Sequence, residues 1–139
     1  MEKKSFFSKI SSWLHSTEMF ARPSKKLPGT WKLFEYYRDL EDELLHITKE
    51  KLTDAQEELT INFTEDGNFI INSDLSVSLI KEIENGEWSI SKNFVTIIHP
   101  KDFRRNVEFQ FAFEKENLKL LKKDRLGNIE FFGFFRNTN

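Results

Sequence analysis

Residues 106–114, Asn-Val-Glu-Phe-Gln-Phe-Ala-Phe-Glu, carry a large apolar side chain at every second position. Successive side chains of a strand point to opposite faces. Val107, Phe109, Phe111 and Phe113 therefore share one face, and Glu108, Gln110, Ala112 and Glu114 share the other. One face is buried and one is wet, which is the signature of an antiparallel sheet wrapped around a core.

The same texture extends both ways along the chain. Short apolar runs are separated by turn chemistry every eight to twelve residues or so, as in a sandwich or barrel. Asp66-Gly67 and Asn85-Gly86 are hairpin dipeptides, and Pro100 closes the run before it. The runs are 30–38, 58–64, 68–73, 75–83, 86–91, 94–99, 106–114, 117–123 and 128–136, which predicts eight or nine strands. Residues 39–57 break the pattern: Leu40, Leu44, Ile47 and Leu52 recur near helical spacing behind a capping Asp39. They predict a helical insertion after the first strand.

With 139 residues, the chain suits one ordinary domain. It has no cysteine, which excludes disulfides, thiolate metal sites, cysteine nucleophiles and a lipidation cysteine. No window approaches the roughly 20 apolar residues of a membrane-spanning helix. Aromatic residues comprise 15 Phe, 3 Trp and 2 Tyr, so most of them carry no polar handle. Residues 1–28 hold six basic and two acidic residues, whereas the remainder holds 15 basic and 21 acidic. A basic head on an acidic body argues against nucleic acid as a partner and suggests a separate role for the head.

That head reads as an amphipathic helix over residues 4–20. Phe6, Phe7, Ile10, Trp13, Leu14 and Phe20 gather on one side, and Pro23 ends the segment. Residues 1–26 are thus set apart as helix and linker, with a barrel domain over 27–139. Serine and lysine interrupt the stripe throughout, which disfavours a signal peptide among the three readings. Either it packs on the body, or it docks on a membrane surface or partner protein. In the last strand Ile129, Phe131 and Phe135 fall on one face, and Phe132 and Phe134 on the other. A strand apolar on both faces needs outside cover, so Phe132 and Phe134 join the docking candidates. The expected location is the cytoplasm, with membrane association through the head as the competing address.

Gly29-Thr30-Trp31 opens the first strand, and Phe63-Thr64-Glu65-Asp66-Gly67-Asn68-Phe69 forms a hairpin. Gly86-Glu87-Trp88-Ser89-Ile90 is followed by Phe94-Val95-Thr96-Ile97, and later by Asn117-Leu118-Lys119-Leu120. In this order the motifs resemble the lipocalin-like (calycin) domains common in Bacteroidetes. The resemblance implies a mainly β, antiparallel up-and-down barrel, plugged at one end and open to a small hydrophobic ligand at the other. It also implies that Trp31, after Gly29, packs across the plugged end with Arg136 against it. Both would be structural.

An eight-stranded barrel has room for its own side chains or for one small ligand. The lining candidates are Tyr36, Phe63, Phe69, Trp88, Phe109, Phe111, Phe113 and Phe131. If these rings fill the interior, the alternative is an interaction or assembly module. His15, His46 and His99 lack metal-ligand spacing, and His46 with Glu50 at i, i+4 reads as an exposed pair. No Gly-x-Ser-x-Gly, phosphate loop or Gly-x-Gly-x-x-Gly motif is present, and no nucleophile is arranged with a base, so no enzyme, metal or cofactor is expected.

Overall fold

The computed structural model describes residues 23–40 and 43–139. Phe6, Phe7, Ile10, Trp13, Leu14 and Phe20, with the helix read over 4–20, lie outside the described residues. A short helix α1 (Pro23–Lys26) leads into β1 (Gly29–Leu40). Proline is well placed there, because the first turn of a helix has no use for its missing N–H.

β1 is followed by β2 (Glu43–Ile47), α2 (Lys49–Ala55), β3 (Leu59–Phe63), β4 (Asn68–Ser73) and α3 (Ser78–Lys81). Then come β5 (Gly86–Ser91), β6 (Phe94–Ile98), a 3-10 turn (Phe103–Arg105), β7 (Val107–Glu114), β8 (Asn117–Lys123) and β9 (Ile129–Asn137). Every strand pair is antiparallel, and β9 returns to β1. β1 and β3 to β9 thus form a closed eight-stranded up-and-down barrel, with β2 as a ninth strand outside the ring.

β1 is long enough to serve three partners. Its first residues pair with β3, residues 31–38 with β9, and Tyr36–Leu40 with β2. The register against β9 shifts between Leu33 and Glu35, so Phe34 is a bulge.

Two sequence expectations are corrected here. The insertion is not one helix: residues 43–47 are strand β2, because β1 runs past β3 and leaves an edge to be paired. Only Lys49–Ala55 is helical, started by Thr48, whose hydroxyl accepts from Lys51 N at 3.3 Å. Asp39, read as the cap, lies within β1. The second correction concerns 75–83, which is not a strand. β4 and β5 share only the pairs Asn68↔Glu87 and Phe69↔Gly86, then part. The segment 74–85 fills that gap, burying Leu75, Val77, Ile80 and Ile83 in the core.

β7 keeps the inside–outside pattern of its sequence, with Phe109, Phe111 and Phe113 in the core and Ala112 outside. A second, smaller cluster joins Ala112, Leu121, Ile129 and Phe132 on the outer face, with Tyr37, Leu44 and Phe134 packed against it. Ile129 therefore parts from Phe131, with which the alternation had grouped it. The register of β8 on β9 shifts between Lys122 and Lys123 and skips Glu130, which turns Ile129 over. Phe132 is buried and Phe134 half-buried, within this outer cluster.

Candidate functional site

The barrel has two unlike ends. At the near end, where β1 begins, Trp31 is buried and donates its indole N–H to the Leu27 carbonyl at 2.8 Å. Its ring lies 6.0 Å from that of Phe113, and Lys26 Nζ sits 5.4 Å from the Phe113 centroid. Trp88 is half-buried nearby, edge-on to Phe63 at 5.5 Å, and donates to the Thr64 carbonyl at 2.9 Å. It pins the β3–β4 turn. Arg136 does not join this group. The register sets it opposite Lys32, one residue out of phase with Trp31, so it is exposed on the outer face. Among the described residues the cation seated over a ring at this end is Lys26.

The middle of the barrel is apolar and nearly full. A cavity of only about 10 Å³ remains, enclosed by side chains from β3, β4, β6, β7, β8, β9 and the 74–85 segment. Phe63, Phe69, Phe109 and Phe131 surround it, as do Ile80 and Ile83. Tyr36, Phe111 and Phe113 share the core but not this void; Tyr36 packs 5.5 Å from Phe131, and Phe111 meets Phe113 edge-on at 5.9 Å. Among the described residues the core contains no buried polar or charged residue.

Ile80 and Ile83 were not foreseen as lining residues. Their signal was present, since Val77, Ile80 and Ile83 recur at intervals of three, a helical rather than a strand period. The segment that carries them is clipped rather than woven in. Asp74 and Glu58 exchange backbone and carboxylate bonds, and Asn85 accepts from Ile71 N at 2.8 Å. Glu84 accepts from His99 Nε2 at 2.8 Å and faces Arg105 at 3.4 Å. Two backbone N–H groups, of Lys101 and Asp102, donate to His99 Nδ1, so the ring proton resides on Nε2 and points at Glu84. The bond from His99 holds the Glu84 carboxyl below its ordinary range, and Arg105 adds to this.

At the far end Tyr36 and Arg38 share the inner face of β1. Tyr36 stands opposite Gly133, and Arg38 opposite Phe131, whose ring is in the core. Burial pushes the Tyr36 hydroxyl up; Glu57 adds to that and Arg38 opposes it. On the outer face His46 stacks on Tyr37 at 4.3 Å and bonds Glu35 at 2.5 Å. His46 thus lies on a strand and pairs with Glu35, not with Glu50. Among the described residues no group of three or more His, Cys, Asp or Glu is disposed to hold a metal ion.

The sequence profile of the lipocalin-like domain matches residues 27–120, more than half of the chain. The chain belongs to the lipocalin-like domain family. No curated protein and no solved structure matches it. The family match runs from the residue that accepts the Trp31 bond to the middle of β8, so it spans Trp31, Arg38 and the 74–85 segment. The strand that closes this lipocalin-like barrel, with Phe131 and Phe135, lies beyond it.

Proposed function

We propose that this lipocalin-like protein is a non-catalytic binding protein for a small hydrophobic ligand, which enters by displacing the 74–85 segment. The observation that carries the reading is the apolar central void, whose non-strand lining among the described residues is Ile80 and Ile83, on a segment held by a few polar clips. Apolar lining with few polar groups is the ordinary character of a small-molecule pocket. Withdrawing Ile80 and Ile83 would open the void without breaking the strand ladders.

The near-full interior favours a second reading, a solid barrel serving as an interaction module. Titration of the full chain with a fluorescent polyene fatty acid, followed by displacement with fatty acids, retinoids and haem, separates the two. Saturable one-to-one binding whose association rate rises in Glu84→Ala, where a clip is lost, supports ligand entry past the segment. Absence of saturable binding for every probe supports the solid barrel instead.

A further inference from the structure

The outer face around the last strand is buried more deeply than the outside of a barrel. The register places Gln110, Leu121, Phe132, Tyr37 and His46 in one row across β7, β8, β9, β1 and β2. Ala112, Lys119, Phe134 and Glu35 form the next row. On this face Ile129 is 0% exposed, Leu121 1%, Phe132 4% and Ala112 8%. The Lys119 side chain is only 15% exposed, with its ammonium 5.1 Å from the Phe134 ring centroid. Neighbours within a sheet flank a side chain from the sides, and a second layer is what covers its tip. This strip therefore carries a layer.

Among the described residues no helix or strand supplies it. The apolar neighbours packed against the strip, Tyr37, Leu44 and Phe134, stand on strands of the same sheet. Helices α2 and α3 send Leu52 and Ile80 into the inner cluster instead. Glu41 and Asp42, between β1 and β2, are acidic. The sequence holds one segment of the right character, with Phe6, Phe7, Ile10, Trp13, Leu14 and Phe20 on one side. Its reach fits. The chain joins the barrel at the near end, where the Leu27 carbonyl accepts from Trp31. Residues 4–20 span about 25 Å as a helix, and β1 rises about 26 Å from Gly29 to Tyr37. Its charges fit too. Run back along β1, the segment sets Glu18 toward Lys32 and Arg136, and Lys4 and Lys9 toward Asp39 and Glu130.

We infer that residues 4–20 of the same chain are the layer over this strip, with their apolar side on Tyr37, Phe132 and Phe134. The basic head is then built into the fold, and the doubly apolar last strand is covered from within the chain. This assignment is independent of what the lumen holds.

The full chain has no cysteine, so Ser12→Cys, on the polar side of the segment, accepts a single nitroxide. In nuclear magnetic resonance spectra of that protein, the amide signals of Tyr37, Leu121, Phe132 and Phe134 should lose most of their intensity relative to the reduced nitroxide. Ser89 on β5 and Thr96 on β6, on the opposite wall of the ring, should keep theirs. Adding Trp13→Asp should restore the strip signals and leave those of Ser89 and Thr96 unshifted. No loss along the strip, or a loss that Trp13→Asp leaves unchanged, overturns the inference and gives the strip to a membrane or an outside partner. A mixture of isotope-labelled chains without nitroxide and unlabelled chains with it distinguishes the remaining occupant. Loss of the strip signals in that mixture makes a second copy the cover and likewise overturns the inference; unchanged signals there, with loss in the singly labelled chain, support it.

Discussion

Phe131→Ala probes the interior most directly. Phe131 is wholly buried, packs 5.5 Å from Tyr36 and borders the central void. Losing the ring forfeits about 2 kcal/mol of transfer free energy. The vacated space, on the order of 100 Å³, adds about 2.4 kcal/mol at roughly 24 cal/mol per Å³ if its walls do not collapse. The expected loss is therefore about 4 kcal/mol, read from urea unfolding as a lower midpoint at unchanged slope. The same change turns a cavity of about 10 Å³ into one large enough for a small arene, and dry apolar cavities of that kind bind such molecules. Saturating toluene should raise the melting temperature of Phe131→Ala and leave wild type unmoved. A loss under about 1.5 kcal/mol, or a variant indifferent to toluene, would refute the tightly packed interior argued above.

Three further changes test other parts of the structure. Trp31→Phe keeps most of the ring but leaves the buried Leu27 carbonyl without its donor, so unfolding free energy should drop by about 1–3 kcal/mol. Gly86→Ala would set a Cβ 2.1 Å from the Ile98 carbonyl oxygen, a backbone atom that cannot step aside. At the thinly paired β4–β5 seam this should cost several kcal/mol and be visible as a large fall in melting temperature. Acid should also destabilise the barrel through Glu84, Asp102 and Asp124. Their carboxyls are held below their ordinary values by bonds from His99, from Arg104, and from the Asn128 backbone N–H respectively. A depressed folded pKa gives stability that is complete above the ordinary values of 3.8 to 4.5 and is lost as pH falls through the lower folded ones. Melting temperature should thus decline below about pH 4, less steeply in Glu84→Gln.

The barrel was legible because its strands advertise themselves locally. The alternation of 106–114 and the Asp66-Gly67 turn depend on neighbours in sequence, and the strands there form as read; Asn85-Gly86 opens β5 but is preceded by no strand. β2 was hidden because its cause is distant: Leu44 and Leu45 pair along an edge that exists only because β1 outruns β3. The 74–85 segment is apolar enough for a strand, but Val77, Ile80 and Ile83 recur at intervals of three, a helical spacing. Ile129 departs from its expected face because strict alternation holds only where no extra residue intervenes, and Glu130 displaces the register by one. The expectation of Arg136 at the plugged end rests on the resemblance alone, and alternation along β9 sets it on the face opposite Phe135. The lining phenylalanines Phe63, Phe69, Phe109 and Phe131 could be named from composition and period. That Ile80 and Ile83 join them depends on how far β4 and β5 part, which no local pattern announces.

The pairing of β1 with β9 carries a consequence for how the protein is made. The ring closes between its first and last strands, with Thr138 N bonding the Thr30 carbonyl at 2.9 Å. During translation β1 therefore waits with one edge open until residues near 137 have left the ribosome. At roughly 5–20 residues per second, making the roughly 100 residues between β1 and the end of β9 takes about 5–20 seconds. Throughout it the nascent chain exposes an aromatic-rich strand to any other unpaired edge. The crowded Phe131–Phe135 strand, last to emerge, is the one whose arrival ends that exposure.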